Sequence, residues 1–287
     1  MPSKAREARP RVTLALQGGG VFLLVLHHLP RRHAHVTPRV QAAVLRIQGD
    51  AVPGKADSIQ RCDLPGGKVV QGITIVTVHV PGDHIPREIV AGQGVEFGNH
   101  NVVDFDPEGA VALCAALPAM PGLVYEAHST DYQTRAALRA LVQDGFAILK
   151  VGPGLTFALR EAFYGLDAIA EELFPGRRAQ TLRAAMEGVM LAAPKNWDKY
   201  YHGTDAERAL QRHFSYSDRI RYYWPEPTAV QAVTALFDLL GDRDLPETLI
   251  GQYLGGLYPD VRAGRLPPRA RDLALAAVDR VTQDYIA

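Results

Sequence analysis

The feature that most constrains the fold is an alternation of strand and helix patterns between residues 122 and 175. Residues 122–128 and 146–152 are short apolar runs typical of buried strands. Each run precedes a segment with apolar residues at helical spacing, over residues 131–142 and 153–174. Because the connections are short, we expect the two strands to be adjacent and parallel. The alternation therefore predicts an α/β fold with a parallel sheet.

Turn-forming and polar residues indicate where these two helices begin and end. Ser129 and Thr130 are suited to cap the first helix. Gly145 ends that helix, and Pro175 with Gly176 terminates the second. The signals agree with the periodicity on the bounds of both helices.

The flanking regions differ in regularity. Downstream, the periodicity predicts helices over residues 179–191, 228–240, 247–254 and 269–286. Upstream, candidate strands cover residues 12–16, 43–47, 72–80 and 88–97. Residues 51–72 are rich in Gly, Pro and Asp, so they are interpreted as a loop. The C-terminal part is therefore expected to pack as helices around the strands.

Charge and hydropathy exclude several classes of protein. The chain has 31 Lys and Arg against 31 Asp and Glu, so no overall positive field favours nucleic acid or an anionic membrane. The longest apolar run, residues 14–26, is shorter than the ~20 residues that span a bilayer. Basic residues follow it without a small-residue cleavage site, which argues against a secretory signal. With only two cysteines, the sequence predicts a soluble cytoplasmic protein.

Polar side chains gather where the first of the two buried strands ends. Glu126 and His128 alternate with apolar residues, so we expect both on one strand face, and Asp131 follows at the helix start. At the carboxyl end of a parallel strand, these groups could ligate a divalent metal ion or move protons next to a carbonyl. Alternatively, Glu126 is a paired interior carboxylate and Asp131 only favours the helix dipole.

The second strand leads into a candidate anion site. Lys150 lies near its end, and Gly152 and Gly154 open a helix whose N–H groups could hold a phosphate or a carboxylate. The segment lacks the GK[ST] ending of a Walker loop. Sharp turns of this kind also need glycine when no ligand is present, so the signal is weak.

A loop after an upstream strand adds a further candidate. Glu96 ends a strand-like run, and Asn99 and His100 lie in the loop beyond it. If this loop neighbours the next strand end, Glu96 and His128 could converge. Alternatively, these are only turn residues around Gly98.

Aromatic and basic residues cluster in residues 197–202 and 214–225, where Arg219 and Arg221 alternate with aromatic side chains. The neutral chain argues against a nucleic-acid platform. A subunit interface or a lid over a phosphorylated substrate agrees with the enrichment of Arg and aromatic residues at interface cores. Plain helix packing is an equally good explanation.

Several strings, in the same order, carry a resemblance to one family. They are VYEAHSTDYQT (124–134), FAILKVGPGLTFALREA (146–162), PKNWDKYYHG (194–203) and SYSDRIRYYWP (215–225). Together they resemble the GatZ/KbaZ-like proteins, described as the non-catalytic subunit of class II D-tagatose-bisphosphate aldolase. The resemblance runs from about residue 94 to the C terminus, and more faintly from Gly49.

The resemblance implies a (β/α)8-like barrel and a role in stabilising or activating a catalytic class II aldolase partner in galactitol, N-acetylgalactosamine or tagatose catabolism. Some relatives are metal-dependent sugar-phosphate C4-epimerases, so interconversion of tagatose 6-phosphate and fructose 6-phosphate is the implied alternative. The site residues expected on this basis are Glu126, His128, Asp131 and Lys150 for catalysis, Gly152, Gly154, Arg219 and Arg221 for phosphate, and Glu96 with His128 for a divalent ion (Zn²⁺, Mg²⁺ or Mn²⁺).

The N-terminal part of the chain departs from the family, whose members carry the first half of the barrel before the matched part. An open half-barrel would expose parallel strand edges, which is costly. We therefore expect an incomplete (β/α)8 TIM-barrel-like parallel sheet over residues 49–175, with a helical region over residues 176–287 packed on it. Residues 1–48 are unmatched and expected to be poorly ordered. Such a chain would be truncated, and either completed by a partner or an inactive remnant.

Overall fold

The computed structural model describes residues 11–17, 20–26, 74–75, 89–90, 95–119 and 125–286, which form a mostly helical α/β structure with few strands. The strands are β1 (Arg11–Gln17), β2 (Gly20–Leu26), β3 (Thr74–Ile75), β4 (Ile89–Val90), β5 (Glu96–Phe97), β6 (Val102–Val103), β7 (Tyr125–Ala127) and β8 (Phe146–Val151). The helices are α1 (Pro107–Ala116), α2 (Arg135–Gln143), α3 (Pro153–Leu173), α4 (Leu182–Ala192), α5 (Asp205–Phe214), α6 (Pro227–Leu240), α7 (Glu247–Tyr253), α8 (Tyr258–Arg262) and α9 (Ala270–Ile286).

The chain divides into two compact units, and the first contains Val102–Val151. Its sheet has the strand order β1-β2-β8-β7. β7 and β8 pair in parallel, as predicted, with Ala127 opposite Leu149. Tyr125 of β7 is fully buried, and its hydroxyl donates a hydrogen bond of 2.6 Å to the Leu113 carbonyl oxygen, which ties α1 to the sheet.

The prediction of a purely parallel sheet is wrong, because β2 pairs with β8 in antiparallel orientation, with Leu24 opposite Lys150. The parallel rule follows from short crossovers, and it constrains β7 and β8, which only α2 separates. More than a hundred residues separate β2 from β8, so no short connection fixes their relative direction. The remaining described strands form two separate two-stranded sheets, β3 with β4 and β5 with β6. These described strands do not show a barrel.

The second unit contains Gly152–Ala287 together with Phe97–Asn101. Its long helix α3 packs against α4, α6, α7 and α9. The centre of this unit is apolar, with Leu166, Ile169 and Met186 fully buried. Gly165 of α3 allows the close approach of α7, since a Cβ at this position would lie 2.8 Å from the Tyr253 carbonyl oxygen. The predicted helical C-terminal part is therefore confirmed.

The predicted helix bounds agree with the structure more closely at the ends than at the starts. The helix after β7 begins at Arg135, and its cap is Thr134, whose hydroxyl accepts the Ala137 N–H. The prediction that Ser129 and Thr130 cap this helix is wrong, because Thr130 is bonded to β8 instead. The prediction also missed α1, α5 and α8.

The upstream predictions are confirmed only in part. β1 agrees with the strand predicted over residues 12–16. β3, β4 and β5 are short pieces of the strands predicted over residues 72–80 and 88–97. The strand predicted over residues 43–47 and the loop over residues 51–72 lie outside the described residues, and the domain bounds stay predictions. Within the part that the structure describes, no helix combines the length and apolar character that crossing a bilayer requires.

Candidate functional site

In the first unit, two of the predicted catalytic residues meet where neighbouring parallel strands end. His128 directly follows β7, and Lys150 is the penultimate residue of β8. The Lys150 Nζ atom lies 3.4 Å from His128 Nε2. In this contact the ammonium donates and Nε2 accepts, so a neutral His128 carries its proton on Nδ1. A cationic donor beside an imidazole can hold and transfer a proton.

Lys150 is the exception within its strand. Every other β8 residue is buried, whereas Lys150 is half-buried. A lysine in an otherwise apolar strand is unfavourable unless its ammonium reaches a partner or water. Here the ammonium reaches the imidazole of His128. The one β8 residue that is not fully buried is therefore one of the predicted catalytic residues.

The loop after β7 is fixed to β8 by Thr130. Its hydroxyl donates to the Lys150 carbonyl oxygen at 2.7 Å, and its backbone N–H donates to the same oxygen at 3.3 Å. Ser129 and Tyr132 on either side have φ values of 55° and 65°, which are uncommon for residues other than glycine. Such backbone conformations persist where the surroundings hold them. The Thr130 bonds therefore set the backbone positions of His128 and Lys150 relative to each other.

Of the three acidic residues predicted at this site, the structure describes the side chain of Asp131 alone. Asp131 is 2% exposed and follows Thr130 in the same loop. The backbone of Glu126 pairs with Ile148, next to a register shift that interrupts the regular alternation of side chains. The side chains of Glu126 and Glu96 lie outside what the structure describes. Their convergence on His128 stays a prediction.

The described side chains do not compose a metal centre. No three His, Cys, Asp or Glu side chains among the described residues are close enough together to share an ion. His128, the predicted ligand with a described side chain, directs Nε2 at the Lys150 ammonium, a position that a cation would have to share. The proposed ligand pair of Glu96 and His128 therefore stays a prediction.

In the second unit, the predicted phosphate-binding glycines lie at the start of α3. Gly152 precedes the helix, Pro153 is its first residue, and Gly154 is buried. Proline is favoured at this position because the first helical N–H needs no intrahelical partner. A 21-residue helix has a positive partial charge at its start, which favours an anion. The phosphate role of Gly152 and Gly154 is compatible with this geometry and stays a prediction.

Residues 215–219 form a tight turn, here named the 215–219 turn, which Asn99 holds on one side. The Asn99 Oδ1 atom accepts the Ser215 hydroxyl at 2.8 Å, and its backbone carbonyl oxygen accepts the Tyr216 N–H at 3.1 Å. Its amide nitrogen donates to Gln211 Oε1 at 3.1 Å. Asn99 is therefore a structural clamp, as the alternative of turn-forming residues around Gly98 suggests.

Asp218 holds the same turn on its other side. Its side chain is completely buried, and it accepts a 2.6 Å bond from the Thr156 hydroxyl and a 3.2 Å bond from Arg160 Nε, both on α3. Burial raises the pKa of Asp218, and the neighbouring Arg160 charge opposes that rise. The Asp218 backbone is left-handed, with φ 44° and ψ 46°. Aspartate is one of the few residues that adopt this conformation readily.

Arg219 follows directly and presents its guanidinium among tyrosines. The guanidinium carbon lies 3.3 Å from the centre of the Tyr200 ring and 5.4 Å from that of Tyr222. Its Nε atom donates to the Asn196 carbonyl oxygen, and its backbone N–H donates to the Tyr201 hydroxyl at 3.1 Å. Arg219 is half-buried, and among the described residues its guanidinium is held through Nε, with no hydrogen bond from its two terminal nitrogens.

Arg221, the second predicted phosphate ligand, is engaged differently. One terminal nitrogen donates to the Ser217 and Asp218 carbonyl oxygens, and the other donates to the Tyr222 hydroxyl at 2.7 Å. Most of its hydrogen-bonding capacity therefore braces the 215–219 turn. Of the two arginines, Arg219 is the better suited to bind an anion.

The aromatic cluster is mainly core. Trp197, Tyr201 and Tyr223 are buried, and the Trp197 indole nitrogen donates to the Met190 carbonyl oxygen at 2.8 Å. Tyr200 is half exposed. Plain helix packing, one of the predicted alternatives, therefore accounts for the buried members, whereas the Tyr200 ring contacts the Arg219 guanidinium.

Sequence reasoning missed Asp218, Arg160 and Thr156, although one signal was available. Thr156 and Arg160 lie four residues apart on α3, so both project from the same side of that helix. A charged residue on the buried side of a long helix indicates a partner elsewhere in the chain. That partner, Asp218, lies next to the predicted Arg219.

Three comparisons with known proteins give a consistent result. The sequence profile of the family described as D-tagatose-1,6-bisphosphate aldolase subunit GatZ/KbaZ-like matches residues 86–287. The chain is 48% identical over 244 residues to the D-tagatose 6-phosphate 4-epimerase of Agrobacterium fabrum (strain C58 / ATCC 33970), covering 82% of this chain and 57% of that protein. A crystal structure of a probable tagatose 6 phosphate kinase from Sinorhizobium meliloti 1021 matches with a TM-score of 0.67 and 62% identity, covering 68% of this chain and 50% of that one.

The chain therefore spans about half the length of the relatives it matches. The profile match covers well over half of the chain and includes the strings that carry the resemblance. On this evidence the chain belongs to the GatZ/KbaZ-like family of D-tagatose-1,6-bisphosphate aldolase subunits.

Proposed function

We propose that this chain acts on tagatose phosphates as a ketose 6-phosphate 4-epimerase that interconverts tagatose 6-phosphate and fructose 6-phosphate. The observation that carries the proposal is the contact of Lys150 Nζ with His128 Nε2 at 3.4 Å, which pairs a base with a cation at the ends of parallel strands. The names of the family and of the two similar proteins differ in reaction but share tagatose phosphates. The 4-epimerase agrees best with an acid–base pair.

The chemistry of C4 inversion explains why a base and a cation suffice for its central step. The carbonyl of the ketose is at C2, so the hydrogen on C4 is not acidified, whereas the C3–C4 bond is in the position that a retro-aldol reaction breaks. When the Lys150 ammonium turns from His128 Nε2 to the C2 carbonyl oxygen, Nε2 is free to take the proton of the C4 hydroxyl, and the electrons of the C3–C4 bond pass to that carbonyl oxygen. The Lys150 ammonium stabilises the resulting enolate. Re-addition of C3 to the opposite face of the C4 aldehyde, with return of the proton, gives the epimer.

A kinase reaction, which the name of one similar structure suggests, has less support in this sequence. The glycine turn before α3 lacks the GK[ST] ending of a Walker loop. In a Walker loop the lysine follows the glycines, whereas Lys150 precedes the glycine turn and contacts the imidazole of His128. Inversion at carbon therefore remains the better explanation.

An accessory role is the second candidate function, because the description of the family is that of an aldolase subunit. In that case the chain stabilises or activates a catalytic class II aldolase. The two candidates make different predictions. An epimerase turns over by itself, whereas an accessory subunit raises the activity or the melting temperature of an added class II aldolase.

The test is an interconversion assay with tagatose 6-phosphate, run with and without added divalent ions. We expect Lys150→Met and His128→Gln each to lower kcat by about 100-fold or more, the usual contribution of a positioned acid or base. Lys195→Met removes an exposed lysine and serves as the matched control. Full activity of Lys150→Met would refute the catalytic assignment. A wild-type chain that is inactive alone but stimulates a class II aldolase would establish the accessory role instead.

A further inference from the structure

We propose that Asp218 is a positioning residue that holds Arg219 in place to bind a phosphate oxyanion. The inference rests on the proposed function in one respect, because a sugar-phosphate substrate would supply the phosphate that Arg219 is predicted to bind. It concerns only the second unit, so it can be tested without measuring epimerase activity.

The surroundings of Arg219 are those of an anion-binding arginine. Among the described residues, no carboxylate forms an ion pair with it, in contrast to Arg160, Arg178 and Arg212. Its guanidinium carbon lies 3.3 Å from the centre of the Tyr200 ring, and Nε donates to a backbone carbonyl oxygen. No described residue accepts a hydrogen bond from the two terminal nitrogens, which form a planar pair of donors. Such an edge matches two oxygens of a phosphate.

Asp218 determines where this guanidinium lies. Its carboxylate is bonded through one oxygen to Thr156 and through the other to Arg160, so the residue is fixed to the first two turns of α3. Its carbonyl oxygen accepts the Arg221 backbone N–H at 3.0 Å and an Arg221 side-chain nitrogen at 3.0 Å. Arg219 lies between these two anchored residues and has little freedom to move.

The left-handed backbone of Asp218 sets the direction in which the Arg219 side chain leaves the turn. At φ 44° the chain reverses between Ser217 and Arg219 and then enters a short 3-10 helix, Arg219–Tyr223. A residue that leaves this conformation would rotate the Arg219 side chain away from Tyr200. A preorganised arginine loses less conformational entropy when it binds an anion than a mobile one. Loosening Asp218 should therefore weaken anion binding even when the fold is intact.

The experiment measures binding of inorganic phosphate to the full chain by isothermal titration calorimetry. We expect Arg219→Ala to abolish binding and Asp218→Ala to raise the Kd by about tenfold, which corresponds to about 1.4 kcal/mol. Asp218→Asn keeps the backbone preference and part of the bonding, so it should rescue most of the affinity. The mildest variant, Thr156→Val, removes one bond to Asp218 and should raise the Kd by about threefold, whereas Thr156→Ser retains it.

Two controls separate positioning from general loss of structure. Arg243 is also stacked on a ring, at 4.6 Å from Phe174, and its Nε donates to the Leu240 carbonyl oxygen, so Arg243→Ala removes a comparable arginine elsewhere in the unit. Asp167 is another buried carboxylate, paired with Arg178, and Asp167→Asn should lower the melting temperature without changing the Kd for phosphate. All titrations are made at a temperature at which circular dichroism shows the variant folded.

The outcomes distinguish this inference from the proposed function. Unchanged phosphate affinity in folded Thr156→Val and Asp218→Ala would overturn it, and so would a wild-type chain that binds no phosphate at millimolar concentration. Loss of phosphate binding in these variants would support it even if the wild-type chain shows no epimerase turnover. As a second arm, tagatose 6-phosphate is compared with unphosphorylated tagatose. Only binding of the phosphorylated sugar should depend on Asp218.

Discussion

His213 should make the stability of the second unit fall as the pH is lowered from neutral. The imidazole is 3% exposed and makes two hydrogen bonds in its neutral form. The Tyr164 hydroxyl lies 2.6 Å from Nδ1, and Glu187 Oε2 lies 3.0 Å from Nε2. Burial lowers the pKa of His213 to about 4, and the carboxylate of Glu187 only partly opposes this effect. Protonation therefore favours the unfolded chain.

The magnitude follows from the two pKa values. The ordinary pKa of 6.5 applies to the unfolded chain, and a value of about 4 applies to the folded one. Since one pKa unit corresponds to about 1.4 kcal/mol, neutral His213 contributes about 3 kcal/mol, fully present above pH 6.5 and lost as the pH falls toward 4. Between about pH 7.5 and about pH 4.5 the loss should be about 2.5 kcal/mol.

The assay is urea denaturation at these two pH values for the wild type and for His213→Gln. Glutamine does not titrate, and it can accept from Tyr164 and donate to Glu187, so it preserves the neutral arrangement. The bond from Arg212 holds the pKa of Glu187 below its usual range, and this carboxylate is present in both proteins. The difference in pH dependence between the two proteins isolates His213. If both lose the same unfolding free energy within about 0.5 kcal/mol, the reasoning is refuted.

Two further predictions concern packing and thiol chemistry. Gly165→Ala should lower the free energy of unfolding by about 1–3 kcal/mol, because the added methyl group meets the Tyr253 carbonyl oxygen at the end of α7 and the Leu254 side chain that follows it. By contrast, the methyl group of Gly188→Ala meets nothing within 4 Å and should stabilise α4 by up to about 1 kcal/mol. Urea denaturation checks both, and equal effects would contradict the packing argument. Burial, assisted by Asp144, raises the pKa of Cys114 to about 11, so its alkylation at neutral pH should be at least about tenfold slower than that of a free cysteine. Mass spectrometry of the peptide that contains Cys114 measures the rate, and a rate equal to that of free cysteine would be incompatible with its burial.

The parts of the fold that the sequence predicts are those set by local periodicity. β7, α2, β8 and α3 agree with the expected order, because the two strands lie in continuous apolar runs and the two helices have apolar residues at helical spacing. The antiparallel β2 could not be predicted, because its pairing with β8 is a long-range choice that no short connection dictates. Two-residue strands such as β5 and β6 are too short to give a period at all.

The candidate site shows the same division between local and long-range information. The contact of Lys150 with His128 could be anticipated because adjacent parallel strands bring their ends together. The role of Asn99 could not, because its partners lie more than a hundred residues away in the sequence. Arg221 looked equivalent to Arg219 in sequence, and only the hydrogen bonds show that it is used to brace the turn.

Burial of a charged group does not by itself indicate function in this protein, as Asp167 and Asp218 show. Both carboxylates are almost inaccessible and both have an arginine partner, so both are compensated. Asp167 also accepts the Leu182 N–H at 3.0 Å at the start of α4, and the chain after it continues into the core. Asp218 instead fixes the 215–219 turn and directly precedes Arg219, whose two terminal nitrogens donate to no described residue. The two aspartates therefore both stabilise the second unit, and the positioning role that we propose belongs to Asp218.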